Sequence, residues 1–296
     1  MHRYILYNEE IRNAGDRIIS PGQVGLLSGW GVFSTIRIYD GVMFCWERHF
    51  ARLRTDATRM RVPFPGDPES LKLQLDRLIE ANQALNATLR VAVERNQGSL
   101  WEGPGNTRDF DVVAFTADVP KWPEAVKLGL MAHGRHAASE FAGAKILSWS
   151  ENLTLYERAH EQGLDEVVLL NERGEVAECT SANIFVVQTS ADGNSSVWTP
   201  PLSAGCLPGV TRAVLLEDVR TAGAKIGEKT LLPADLEAAS EIFITSTTRE
   251  LLPVVSIVGM RIRQGQAVCA QLAQHFRTAV ERYTAPRRPG VTPLAH

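Results

Sequence analysis

Lysine is scarce in this chain, and its six copies differ in their surroundings: Lys72, Lys121, Lys127, Lys145, Lys225 and Lys229. Lys145 stands in Ala142-Gly143-Ala144-Lys145-Ile146-Leu147, among small and apolar side chains, whereas the others sit among ordinary surface-like residues. A desolvated lysine loses proton affinity and becomes a usable nucleophile. The plainer alternative is a lysine snorkelling at a helix start. Glu178 follows Glu175-Val176-Ala177 and precedes Cys179-Thr180-Ser181-Ala182-Asn183-Ile184-Phe185. A carboxylate beside an apolar strand can pair with a cationic ring nitrogen, although taken alone it reads as a turn or edge residue. Two further segments could cradle a phosphate. Leu207-Pro208-Gly209-Val210-Thr211-Arg212 opens a helix, whose free N–H groups and dipole attract an anion. Thr245-Ser246-Thr247-Thr248 follows a strand and offers hydroxyls and amides. Each is weak by itself, since Pro-Gly before a helix is usually no more than a helix start.

The 296 residues carry a formal net charge of −3, with 44% hydrophobic and 22% charged residues. That length allows one large domain or two modest ones. The composition excludes a disordered chain, a collagen and a small disulfide scaffold. The balanced charge argues against an extended nucleic-acid footprint. Four cysteines, Cys45, Cys179, Cys206 and Cys269, lie far apart without a C-x-x-C pair. That is poor material for a metal site and reads as reduced thiols in a cytoplasmic protein. Residues 1–10 lack the charged start and apolar run of a signal peptide, and no apolar run approaches the ~18–20 residues of a membrane helix.

The elements that must position these residues follow from periodicity and turn signals. Residues 4–7 read as a strand, 8–10 as a hairpin turn, 32–39 as a strand, and Asp40-Gly41 as the turn into a second strand over 42–46. His49, Leu53 and Ala57 recur at helical spacing. Asp67 caps a second helix, with Pro68 in its first turn and Leu71, Leu75, Leu78 and Ile79 on one stripe. Residues 89–93 and 111–116 read as strands, which completes a mixed α/β domain over 1–117. The two-proline stretch within 118–124 reads as a linker. A larger domain over 125–285 follows, with strands at 126–131, 166–170, 183–187 and 241–245. Its helices fall at about 148–162, 209–222 (stopped by Gly223) and 267–283. Residues 286–296 read as a frayed tail.

Taken together and in this order, the motifs resemble the fold-type IV pyridoxal-phosphate enzymes. The resemblance covers about residues 4–280. It includes Tyr7-Asn8-Glu9-Glu10, Gly29-Trp30-Gly31-Val32-Phe33-Ser34-Thr35-Ile36-Arg37, Arg48-His49-Phe50-Ala51-Arg52-Leu53, the Lys145 and Glu178 segments, residues 207–212, and Thr247-Thr248-Arg249-Glu250-Leu251-Leu252-Pro253-Val254. It implies a two-domain α/β enzyme that uses pyridoxal 5′-phosphate (PLP). By that resemblance Lys145 carries the cofactor as a Schiff base and moves the proton at the substrate Cα. Glu178 faces the pyridine nitrogen, Arg52 the phosphate, Val210 and Thr211 the helix end at that phosphate, Thr247 a closing hydroxyl, and Leu207 packs under the ring. Many members carry a tyrosine four residues after the lysine, where this chain has Trp149.

The resemblance also covers branched-chain aminotransferases, D-amino-acid aminotransferases, R-selective amine transaminases and aminodeoxychorismate lyases. The substrate-side residues are Phe33, Thr35, Arg90 and Thr248. Arg90 matches a position that is basic in the branched-chain enzymes and the lyases, which ranks the D-amino-acid and R-amine groups lower. A guanidinium there binds a carboxylate bidentately; its plainer alternative is a strand-face arginine in a surface pair. Thr35 favours the lyase, and Leu100, where the lyase has a second basic residue, argues against it. Ser28 and Thr88 replace the tyrosines of branched-chain enzymes. The expected function is an aminotransferase of small or hydrophobic amino acids, branched-chain-like, with a 2-oxo acid acceptor. The alternatives are the lyase and a homologue that has lost turnover. Homodimers are expected from the resemblance; nucleic acid, membrane and metal partners are not.

Overall fold

The computed structural model describes residues 1–20, 22–98, 103, 107–190, 192–219 and 224–290. By its internal contacts the chain divides into two compact units. The first comprises Met1–Pro120, Ala144–Trp149 and Glu281–His296, the second Lys121–Gly143 and Ser150–Val280. The fold is mixed α/β, as the motif order leads one to expect.

Among the described residues, the first unit contains β1 (Tyr4–Tyr7), β2 (Glu10–Asn13), α1 (Val24–Ser28), β3 (Gly31–Tyr39), β4 (Val42–Met43), α2 (Trp46–Arg59), α3 (Pro68–Ala81), β5 (Ala87–Arg95) and β6 (Phe110–Asp118). The sheet order is β2-β1-β6-β5-β3-β4, and its pairings are antiparallel. Asp67 caps α3 as its sequence suggests, accepting from the N–H groups of Glu69 and Ser70. Leu71, Leu75, Leu78 and Ile79 from α3 and Phe50, Leu53 and Ala57 from α2 pack on Ile36, Ile38, Leu89, Val91 and Val93 of the sheet. The strand expected over 42–46 stops at Met43. Cys45 adopts a left-handed backbone with φ 53°, which ends the pairing and lets α2 begin at Trp46.

Three differences from the sequence reading concern chain order. Residues 144–149 do not start a helix; Ile146 bridges antiparallel to Val32, and Leu147 N–H donates to Gly31 O at 2.9 Å. The segment therefore continues the sheet edge of the first unit rather than the larger domain expected over 125–285. The tail is likewise not frayed where it is described. Residues 285–287 form a 3-10 turn, and Arg288 pairs with Asp40 at 2.9 Å and Glu281 at 2.7 Å. Tyr283 accepts from Trp46 N–H at 3.2 Å, donates to Glu47 Oε2 at 2.7 Å and packs edge-on against Phe44.

The second unit contains β7 (Val126–Met131), α4 (Ser150–Glu161), β8 (Glu166–Leu170), β9 (Val176–Cys179), β10 (Asn183–Thr189), β11 (Ser195–Thr199), α5 (Val210–Glu217), β12 (Ala224–Glu228), α6 (Pro233–Ala238), β13 (Glu241–Ser246), β14 (Glu250–Ile257) and α7 (Ala267–Thr284), whose last turn groups with the first unit. The sheet order is β12-β11-β10-β13-β14-β7-β8-β9. Ile184 and Val186 of β10 join Ile242 and Ile244 of β13 and Val126 and Leu128 of β7 in its core. Helix α5 ends at Glu217, earlier than the expected 222; Gly223 lies outside the described residues. All four cysteines are free and buried, and burial pushes the thiols of Cys206 and Cys269 up to about 12. Burial also raises the Cys179 thiol, so Cys179, Cys206 and Cys269 are not poised as nucleophiles. No helix among the described residues is long and apolar enough to cross a membrane.

One buried pair in the first unit costs stability in a pH-dependent way. Glu94 faces Asp111 directly across β5 and β6 and is 8% exposed, and its Oε2 finds no hydrogen-bond partner among the described residues. Asp111 is satisfied, by Asn8 Nδ2 at 2.8 Å, the Tyr7 hydroxyl at 3.0 Å and Gln23 Nε2. Burial and the Asp111 charge raise the Glu94 carboxyl above its usual range. A raised acid is a cost wherever it is ionised. The cost is absent below the unfolded carboxyl pKa and grows as pH rises past it. Glu94→Gln is therefore expected to raise Tm by about 2–4 °C at pH 8, a gain that vanishes near pH 4 in parallel thermal melts.

Candidate active site

In the first unit, the alternation of β3 sends Phe33 and Thr35 to one face and Ser34 to the other. Thr35 lies opposite Arg90 in the β3–β5 register, and Phe33 opposite Ala92. The Arg90 guanidinium lies 3.7 Å from the Phe33 ring centroid, and Lys145 Nζ lies 4.4 Å from the same ring. Trp149 stands edge-on to Phe33 at 5.7 Å, with Lys145 Nζ 5.1 Å from its ring. Lys145 is thus set against two aromatic rings and held by its backbone. Its carbonyl accepts from Phe33 N–H at 3.0 Å, and its own N–H donates to Asp56 Oδ2 at 3.1 Å. Asp56 is buried on α2, and burial raises its carboxyl against the lowering pull of the Lys145 N–H and of Arg52.

Arg90 is half-buried, and burial lowers the pKa of its guanidinium. Among the described residues no carboxylate pairs with it, so it is not the surface pair that a strand-face arginine would make. Arg52 projects from α2 and donates to Ser34 Oγ at 2.8 Å; burial pushes its pKa down to about 10. Sequence reasoning brought Lys145, Phe33, Thr35, Arg90 and Arg52 into view, and the first unit holds all five. It missed Asp56, four residues after Arg52 and so on the same helix face.

In the second unit, β9 and β10 meet in a tight turn over residues 180–182. Glu178 on β9 uses both oxygens: Oε1 accepts from Arg135 Nε at 2.9 Å and Oε2 from Leu207 N–H at 3.0 Å. Asn183, at the start of β10, donates to Leu207 O at 2.9 Å. Leu207 is therefore pinned through both its N–H and its carbonyl, which fixes the loop entering α5. Gly209 precedes α5 and carries no capping side chain; a Cβ there would overlap Asn183 Oδ1. Val210 and Thr211 form the first turn and are buried. Thr247 and Thr248 lie in the turn between β13 and β14. Nearby on β13, Thr245 Oγ1 is buried without a partner among the described residues.

The turn over 180–182 is braced from below. Glu166 is fully buried and accepts from Ser181 N–H at 3.1 Å and from both the Thr180 and Ser181 hydroxyls. Arg249 pairs with Glu166 at 3.2 Å and lies 4.1 Å from the Trp122 ring centroid. Arg135, Asn183, Glu166 and Arg249 were not assigned from sequence. Their signal is only that each is a polar residue inside or beside an apolar strand.

These residues fit an anionic aromatic cofactor. An uncapped helix start with buried first-turn residues and an orphaned buried hydroxyl nearby suit a phosphate, and a carboxylate on a strand suits a ring nitrogen. A family model of class IV amino-transferases matches residues 31–257. The chain belongs to that family. As a class IV aminotransferase it is a PLP-dependent enzyme acting on amino acids and 2-oxo acids. It is 28% identical over 278 residues to a D-alanine aminotransferase of Bacillus licheniformis, covering 94% of this chain and 95% of the relative. It is 29% identical over 278 residues to a putative branched-chain-amino-acid aminotransferase of Methanocaldococcus jannaschii, covering 92% and 95%. The solved branched-chain amino acid aminotransferase of Escherichia coli superposes with a TM-score of 0.83 at 24% identity, covering 95% of both chains, a likeness of fold.

Proposed function

We infer that this class IV aminotransferase moves an amino group from a hydrophobic, branched-chain-type L-amino acid to a 2-oxo acid. The observation that supports the reading is the cation pair on Phe33: a guanidinium without a carboxylate partner among the described residues and a primary amine share one aromatic ring. A 2-amino or 2-oxo acid carries its carboxylate one carbon from the reacting centre, so a carboxylate receptor beside the reactive amine suits both substrates. Bound PLP supplies an electron sink for the Cα–H electrons. Lys145 Nζ holds the cofactor covalently and takes the proton from Cα. Arg90 binds the substrate carboxylate, with Thr35 opposite it in the β3–β5 register; Thr248 is the substrate-side residue of the second unit. Phe33 and Trp149 wall the site apolar, which excludes water and favours an aliphatic side chain. Arg52, the first-turn N–H groups of Val210 and Thr211 and the Thr247 hydroxyl hold the phosphate. Glu178 would hold the proton on the ring nitrogen, and Leu207 would lie against the ring. Trp149 takes the place of the familial tyrosine.

The test is a set of half-reactions on the PLP-loaded enzyme, followed through the near-visible band of the bound cofactor. L-leucine and L-glutamate should bleach the band, and 2-oxoglutarate should restore it. Bleaching by D-alanine alone would place the activity with the D-alanine aminotransferase relative and overturn the reading. No bleaching, with release of 4-aminobenzoate from aminodeoxychorismate, would make the protein a lyase. Leu100, the position bearing on that choice, lies outside the described residues. The reading includes a homodimer, to be checked by light scattering of the holoenzyme.

Gly209 gives a sharper check on the phosphate end. Gly209→Ala drives a methyl into Asn183 and breaks its bond to Leu207 O. The PLP dissociation constant, by equilibrium dialysis, should rise by about 10-fold or more, the scale of a disrupted anion site.

A further inference from the structure

Helix α2 carries a buried histidine to which the cofactor reading gives no task. His49 is 1% exposed, and Arg52 stands one turn further along the same face. Between them, on β3, lies the fully buried Ser34. Its Oγ is 2.8 Å from His49 Nδ1 and 2.8 Å from Arg52 Nη2. A guanidinium only donates, so the serine oxygen accepts from Arg52, and its hydroxyl keeps a proton that can be directed at His49 Nδ1. That arrangement goes with the His49 tautomer that carries its proton on Nε2. Burial and the charges of Arg52 and Lys145 push the imidazole well below its usual range, so it stays neutral beside the guanidinium.

The geometry points to a positioning relay: His49 orients the Ser34 hydroxyl, and Ser34 aims the Arg52 guanidinium at the cofactor phosphate. The inference rests on the reading of Arg52 given above and extends it to two residues that do not touch the ligand. A free arginine loses rotamer freedom when it binds an anion, and a fixed acceptor removes part of that freedom beforehand. The acceptor must be uncharged. A carboxylate at residue 34 would pair with Arg52 and compete with the phosphate, whereas a hydroxyl held by a neutral imidazole takes one N–H without adding a competing charge. Asp56, on the next turn of α2, attracts Arg52 by its charge, but Oδ2 of its carboxylate is engaged by the Lys145 N–H.

Two disruptive and two conservative variants of the holoenzyme test the relay. Ser34→Ala and His49→Leu should raise the PLP dissociation constant about 10-fold or more by equilibrium dialysis, the scale of a hydrogen bond to a charged group. Their kcat at saturating PLP should stay within about 3-fold, because the relay acts on binding and not on the Cα proton. Ser34→Thr keeps the hydroxyl, and His49→Asn puts an amide oxygen near the Nδ1 position; both should bind PLP within about 3-fold of the parent. Side-chain ¹⁵N shifts of His49 should report a bare Nδ1 in the parent and a changed ring environment in Ser34→Ala. The Tm of the apo form separates aiming from packing: Ser34→Ala should lose PLP affinity with little change in apo Tm. Parental PLP affinity in Ser34→Ala, with weakened affinity in Arg52→Gln, would overturn the relay and leave Arg52 in its role. Parental affinity in Arg52→Gln as well would overturn the reading of Arg52 and the relay with it.

Discussion

Lys145→Ala is expected to lower kcat by at least about 10⁴-fold and to abolish the band of covalently held cofactor, the scale of losing both a nucleophile and a general base. The fold should survive. The hydrogen bonds that anchor this segment to Phe33 and Asp56 are made by the Lys145 backbone, and the side chain lies over aromatic rings. The loss is therefore chemical, and Tm of the variant should match the parent within a few degrees. An added primary amine that restores part of the rate would locate the defect at Nζ. Unchanged turnover in Lys145→Ala would remove the enzyme reading of this residue altogether.

Arg90→Leu should separate carboxylate substrates from others. Removing one partner of a charged, partly desolvated hydrogen-bond pair costs about 2–4 kcal/mol, so kcat/KM for both the amino acid and the 2-oxo acid should fall by about 30- to 10³-fold. An amine lacking a carboxylate should lose nothing. Arg90→Lys should recover only part of the activity, since it keeps the charge but not the fork. Equal loss with every substrate would mean that Arg90 supports the Phe33 ring rather than the carboxylate.

Much of this was legible in the residues. The Asp67 cap, the α3 stripe and the strands over 126–131 and 166–170 follow from local pattern, because period and capping chemistry are written within a few positions. The site residues came through motif order, and the structure groups Phe33, Thr35, Arg90, Arg52 and Lys145 within one unit and Glu178, Leu207, Val210, Thr211, Thr247 and Thr248 within the other. What stayed hidden depends on partners far along the chain. Residues 144–149 look like a helix start because a sheet-edge bridge to Val32 leaves no local signature. Arg135 could be linked to Glu178 only after β7, β8 and β9 were aligned. Glu166 looks misplaced in an apolar strand, and Arg249 in the turn before β14 has no local partner to explain it, until the hydroxyls of residues 180 and 181 are set against them. His49 was legible as a helix-stripe residue, but its bond to Ser34 was not.

The contact of Tyr283 with the start of α2 bears on how the protein is made. The Trp46 N–H and the hydroxyl that receives it are 237 residues apart in sequence. A ribosome delivers α2 well before Tyr283, so the N-terminal turn of that helix leaves the exit tunnel unfinished and waits for the second unit to be translated. Its edge strands and apolar helix faces are meanwhile open to chaperones and to neighbouring nascent chains. Expression yield should accordingly respond to synonymous codon changes in the second half of the message, and a circular permutant that begins at Lys121 and joins the last helix directly to the first strand would complete the clasp during synthesis.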